Sequence, residues 1–114
     1  MLRLNHKKLF VWQKSIELVK QVYLITKDFP KYEQYGLISQ LRRCAVSVAA
    51  NIAEGAARKT KSETSRYYEI ARSSLVEFDT HIEISIKIGY LNPKDIKDLE
   101  NVTNEIFAML SAMQ

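Results

Sequence analysis

Gln40-Leu41-Arg42-Arg43-Cys44-Ala45-Val46-Ser47-Val48-Ala49-Ala50-Asn51-Ile52-Ala53-Glu54-Gly55 decides the reading of this chain. At about 100° per residue, Leu37, Leu41, Cys44, Val48 and Ile52 fall on one stripe of a helix. Val46, Ala49, Ala53 and Ala56 fall on a second stripe, roughly 140° away. Arg43, Ser47, Asn51, Glu54 and Arg58 fill most of the remainder. An ordinary surface helix buries one stripe of about 100°, and this one offers about twice that. The expectation is a helix packed inside its own bundle on one flank and against another copy on the other. Small residues on the second stripe let a neighbouring helix approach closely. Such a pattern describes an assembly protein better than an enzyme.

Three more helical segments flank this one, so the expected helices are about 9–28, 34–58, 62–88 and 93–113. In the first, Trp12, Ile16, Val19 and Tyr23 recur at helical spacing, with Leu18, Val22, Ile25 and Phe29 as a second set. Pro30 disfavours the helical region for Phe29 and ends it. In the third, Tyr67, Ala71, Ser74, Phe78, Ile82 and Ser85 form the expected core stripe, widened by Ile70, Leu75, Ile84, Ile86 and Ile88. Thr60 with Glu63 reads as a capping box at its start, with Ser62 as a rival cap, and Gly89 as the residue past its end. Asn92, Pro93 and Asp95 suit the opening of the fourth helix. Its Ile96, Leu99, Val102, Ile106, Leu110 and Met113 make a narrow seam. Connections of a few residues make neighbours antiparallel. The chain 1–114 is therefore expected to be one all-α domain, an up-down-up-down four-helix bundle with helices of about 30–40 Å.

Composition narrows the class. Only 3 Gly and 2 Pro occur in 114 residues, which leaves little material for turns. The single cysteine, Cys44, excludes an internal disulfide and fits a reducing cytosol. It reads as a small buried hydrophobe. The start of the chain has no apolar stretch of a signal peptide, and no segment approaches a membrane span. A cytoplasmic protein with no membrane contact is expected. Net charge is +4, but residues 1–72 carry 14 Lys/Arg against 6 Asp/Glu, and residues 73–114 carry 3 against 7.

Catalytic and metal chemistry are poorly supplied. His6 and His81 are the only histidines. Glu77-x-x-x-His81 offers two ligands, but a di-iron bundle needs Glu-x-x-His pairs on two helices with further core glutamates. His81 therefore reads as a boundary residue paired with Glu77 or Glu83, with no metal and no cofactor expected. No nucleophile sits in a glycine elbow, and 3 glycines cannot build a phosphate-cradling loop. No enzymatic role is expected.

Two polar features remain. Arg43 and Glu54 share one angular position three turns apart, too far to pair, so each must find partners elsewhere. Asn51 and Arg58 are the neighbours of Glu54 at i−3 and i+4. This stripe reads as a network at a helix or subunit seam that sets register. The second feature is a pole: helix 1 of an up-down bundle starts where helix 2 finishes. Lys7, Lys8, Arg58, Lys59, Lys61 and Arg66 then share one end and offer a surface for polyanions. No basic recognition helix or stacking platform suggests base-specific readout.

Several blocks occur in an order that resembles a known family. They are Phe10-Val11-Trp12-Gln13-Lys14-Ser15, Thr26-Lys27-Asp28-Phe29-Pro30, Tyr35-Gly36-Leu37 with Gln40-Leu41-Arg42-Arg43, Asn51-Ile52-Ala53-Glu54-Gly55 with Arg58, and Ser74-Leu75 with Gly89-Tyr90-Leu91. They resemble the bacterial four-helix bundles encoded in intervening sequences of 23S ribosomal RNA genes, also called S23 ribosomal proteins. They are similar as well to the accessory variability protein of diversity-generating retroelements. The resemblance covers about residues 9–91. It implies a homopentameric ring with a basic surface, and for the retroelement relatives binding of nucleic acid and of a reverse transcriptase. It marks Arg42, Arg43, Asn51 and Glu54 as signature residues, for assembly rather than chemistry. Ser73 stands where a small residue, often Gly, is usual, and Lys8 stands where an acidic residue is common.

The resulting expectation is a homo-oligomer that binds RNA or DNA with little sequence preference through Lys7, Lys8, Arg58, Lys59, Lys61 and Arg66. Arg42, Arg43, Val46, Ala49, Asn51, Ala53 and Glu54 would serve the subunit interface or polar network. The alternative is an assembly or adaptor module that meets an acidic protein partner and no nucleic acid.

Overall fold

Four α-helices order the chain in a computed structural model that describes residues 1–114: α1 Phe10–Thr26, α2 Leu37–Ala56, α3 Lys61–Lys87 and α4 Lys97–Ala112. There is no strand. Contacts run α1 to α2, α2 to α3, α3 to α4 and α4 back to α1, with α2 against α3 the most extensive. This is an up-down-up-down bundle with extents of 44 × 28 × 20 Å. Its centre is closed by Leu18 and Val22, Leu41, Cys44, Val48 and Ile52, Leu75 and Phe78, and Ile106 and Leu110, none more than 1% exposed.

Local chemistry sets the helix ends. Thr60 Oγ1 accepts from the Glu63 amide at 3.2 Å and donates to Glu63 Oε1 at 2.9 Å, so Thr60 rather than Ser62 caps α3. At the other end Gly89 has φ +90°. The Tyr90 amide reaches Ser85 O at 2.8 Å and the Gly89 amide reaches Ile86 O at 3.1 Å, the paired bonds of a Schellman cap. Two starts lie later than expected. Residues Lys31–Glu33 and Pro93–Asp95 form 3-10 turns, and Asn92 Oδ1 caps the second of these through the Lys94 amide at 3.0 Å. α2 and α4 begin only after them, at Leu37 and Lys97.

The core stripes differ from the expected ones where small polar residues enter. α1 buries Val11, Ser15, Leu18, Val22 and Thr26, while Ile16 and Tyr23 are exposed. Ser15 and Thr26 pass as core because their hydroxyls donate back to Trp12 O at 2.6 Å and Val22 O at 2.7 Å. On α3 the buried set is Tyr68, Ala71, Leu75, Phe78, Ile82 and Ser85. Ile70, Ile84 and Ile88 face solvent.

Gly55 is a packing residue, not a frayed end. A Cβ there would stand 2.8 Å from the Tyr68 ring and 3.1 Å from Tyr67 Cβ. Thr64 Oγ1 donates to Gly55 O at 2.8 Å and holds the α2–α3 corner tight. Gly55→Ala gains about 1 kcal/mol of helix propensity. Overpacking against a buried ring costs about 1–3 kcal/mol. The variant is expected to melt below the wild type by circular dichroism, and an equal or higher Tm would remove this account of Gly55.

Candidate nucleic-acid interface

The cations of the bundle divide into those that bridge helices and those that do not. Each lateral seam has a bridging cation. Arg42 Nε donates to Thr26 Oγ1 at 2.9 Å, with its guanidinium 4.3 Å from the Tyr23 ring centre, and so joins α2 to α1. Arg43 binds Glu77 Oε2 and joins α2 to α3. Arg72 Nε donates to Ser111 Oγ at 2.9 Å and lies 4.4 Å from the Phe107 ring, joining α3 to α4. Lys14 meets Glu105 at 3.3 Å and joins α1 to α4. These partly exposed pairs contribute up to about 1 kcal/mol each, so their role is register more than stability.

The expected polar stripe of α2 resolves into separate contacts. Glu54 takes Arg58 at 3.2 Å. Asn51 turns from Glu54 to Ser47, donating to its carbonyl at 2.8 Å, and Ser47 Oγ meets Ser74 Oγ of α3 at 2.9 Å. The network is thus completed within one chain. Ala49 is buried inside the monomer at 8% exposure, so it is not available to a second copy as the wheel had suggested. Val46 is exposed, and Ala53 is half-buried. Ala50, which the wheel reading passed over, is exposed beside them.

The expected cations sit on the segments at the end where α1 begins and α2 finishes. Lys7 and Lys8 belong to a 3-10 turn, Asn5–Lys8, that packs on α1 and α2. Lys59 sits in the α2–α3 corner, and Lys61 and Arg66 lie in the first turns of α3. Lys8, Lys59, Lys61 and Arg66 are exposed and make no ion pair. Two of the expected residues are less free. Lys7 donates to Leu2 O, and Arg58 pairs with Glu54 while its guanidinium lies 5.3 Å from the Tyr67 ring centre.

The charge contrast between the two ends is large. Segments 1–9, 54–66 and 105–114 carry seven Lys/Arg against three Asp/Glu. Segments 24–40 and 83–98, at the opposite end, carry five against five. That second end holds the most exposed aromatic rings, Tyr32 and Tyr35, and Tyr35 lines an open cleft together with Arg42 and Arg43. Sequence reading missed these rings because it searched for an aromatic platform near the basic cluster.

One further group of reactive side chains gathers on the α2–α3 seam. His81 Nε2 lies 3.2 Å from Glu77 Oε2, which bears out their expected pairing. Cys44, fully buried, presents Sγ at 3.5 Å from Arg43 Nη2. Burial, followed by its hydrogen bond to Glu77, pushes the Cys44 thiol up to about 11. The hydrogen bond from His81, then those with Cys44 and Arg43, hold the Glu77 carboxyl below its ordinary range. The proximity of Cys44 to this pair depends on the register of two helices, so spacing along one helix could not reveal it.

Residues 7–112 match the family described as 23S rRNA-intervening sequence protein. Among solved structures, a protein of unknown function from the S23 ribosomal protein family of Bacteroides thetaiotaomicron is similar, with a TM-score of 0.82 at 21% identity. The alignment covers 90% of this chain and 96% of that one. No curated protein matches this chain. No helix is long and apolar enough to cross a membrane.

Proposed function

The chain belongs to the 23S rRNA-intervening sequence protein family, and from that premise we propose that it is a non-enzymatic, homo-oligomeric bundle that binds RNA or DNA in the cytoplasm with little sequence preference. The observation that carries the binding half is the unpaired set Lys8, Lys59, Lys61 and Arg66 at one end of a bundle whose other end is neutral. Arg42, Arg43, Arg72 and Lys14 are engaged at helix seams, and the exposed lysines of the opposite end are matched in number by carboxylates. Unpaired ammonium and guanidinium groups lose little on meeting phosphates, and they release the counterions condensed there. Nothing at this end reads base edges, so the binding follows the backbone.

The assembly half rests on the outer face of α2. Val46 and Ala50 are exposed, Ala53 is half-buried, and Ile16, Tyr23 and Ile70 add exposed apolar surface on adjoining helices. A ring of five copies is the state implied by the resemblance to the retroelement accessory protein. Such a ring would repeat the basic pole around an axis and raise its affinity by multivalency.

Salt titration tests the binding mode. Four phosphate contacts give a slope of about −3 in log affinity against log salt, so binding falls about 50-fold or more between 50 and 200 mM. A gel-shift or anisotropy titration with mixed-sequence RNA and DNA reads this directly. Absence of binding at the lower salt removes nucleic acid and leaves an acidic protein as the partner of the pole.

A further inference from the structure

Cys44 on α2 and Glu77 and His81 on successive turns of α3 bring a sulfur, an oxygen and a nitrogen to one place on the seam. One donor atom from each lies within 4.8 Å of the others. We propose that Cys44, Glu77 and His81 form a binding site for a thiophilic divalent cation of the zinc class, with water in the fourth position.

The geometry suits that ion. Tetrahedral coordination at zinc bond lengths places donor atoms about 3.3–3.6 Å apart. The His81 Nε2 to Glu77 Oε2 edge is 3.2 Å in place, and the other edges close by small side-chain rotations. Thiolate and imidazole select zinc or cobalt over magnesium or calcium, which prefer all-oxygen shells. The flanking Ser47–Ser74 contact, at 2.9 Å, holds α2 and α3 together beside the three donors. His81 Nδ1, the ring nitrogen not used as the donor, is buried without a hydrogen-bond partner, so the ring is free to adjust its orientation towards the ion.

Arg43 holds the place of this cation in the present arrangement. Its Nη2 meets both Glu77 Oε2 and Cys44 Sγ. Arg43 is largely exposed and keeps Gln40 Oε1, at 2.8 Å, as a second partner. It can therefore swing outward and leave three donors facing the vacated position. Binding forms a metal–sulfur bond and releases the thiol proton to solvent, so one proton leaves per cation bound.

Cobalt(II) is the probe, titrated into the full chain after chelation and buffer exchange. The expected result is a thiolate-to-cobalt charge-transfer band with the visible bands of a tetrahedral site, saturating at one cobalt per chain and displaced by zinc. Cys44→Ser abolishes the charge-transfer band while helical circular dichroism persists. His81→Ala, outside the closed core, weakens binding about 100-fold, whereas Arg43→Gln removes the competing cation and tightens it about tenfold. No charge-transfer band in either the wild type or Arg43→Gln overturns the proposal. So does a band of unchanged intensity in Cys44→Ser.

Discussion

Lys59→Glu combined with Lys61→Glu is expected to lose about 100-fold or more of the affinity for RNA or DNA at 0.1 M salt. Each neutralised phosphate contributes a factor of about 5 to 8 at that ionic strength through counterion release, so removing two contacts alone costs about 25- to 60-fold. Reversal adds repulsion from the phosphates and carries the loss further. Both side chains are exposed and unpaired, so no folded contact is broken. Lys61 is also the first residue of α3, where a carboxylate suits the positive end of the helix better than an ammonium does. A fall in binding therefore cannot be assigned to unfolding. The matched control is Lys94→Glu with Lys97→Glu, which changes the net charge by the same amount at the neutral end. That pair is expected to retain affinity within about tenfold, since screening confines a charge to about 10 Å at 0.1 M salt. Equal losses in the two double variants would mean that overall charge, and not the pole, attracts the polyanion.

How far the sequence could be read depended on the range of each interaction. The ends of α3 were legible because Thr60, Glu63 and Gly89 act on backbone groups a few residues away. The inner stripe of α2 was legible because Leu41, Cys44, Val48 and Ile52 leave few other inward faces. α1 and α3 were misread on their flanks. Both carry apolar residues on two faces, and wheel geometry does not say which face meets the bundle. Ile16, Tyr23, Ile70 and Ile84 went outward, while Ser15 and Thr26 went inward with their hydroxyls bonded to their own helix; Ser85, expected on the core stripe of α3, is buried in the same way. The basic pole followed from topology, because adjacency of the α1 start and α2 end needs only antiparallel order. Two features required the register between α2 and α3. One is Gly55 beneath Tyr68, and the other is Cys44 beside Glu77 and His81. Both are pairings across a seam, where a shift of one turn would change every partner.

Ala50→Arg is expected to dissolve the oligomer and leave the monomer folded. Ala50 is exposed on the outer face of α2, with Val46 and Ala53 one turn to either side. Arginine is nearly as good a helix former as alanine, so α2 itself loses a few tenths of a kcal/mol. Between two closely packed helices the same side chain has no room, and its charge would lose water without gaining a partner. The surface around it suits association: Val46 at 44%, Ile16 at 45% and Tyr23 at 41% exposure leave apolar area open on α2 and its neighbour α1. Small residues at the centre of that area let backbones approach, and larger ones at its edge supply the buried area. A five-membered ring of 13.2 kDa chains would sediment at about 66 kDa, and Ala50→Arg at the monomer mass with unchanged helical signal. Because the basic pole lies at the bundle end and not on this face, the variant should keep single-site phosphate contacts while losing the multivalent part of its affinity. A wild-type chain that sediments as a lone 13.2 kDa particle would remove the assembly half of the proposal. A fully assembled Ala50→Arg would move the interface off α2, to the exposed Val76 and Ile84 surface of α3.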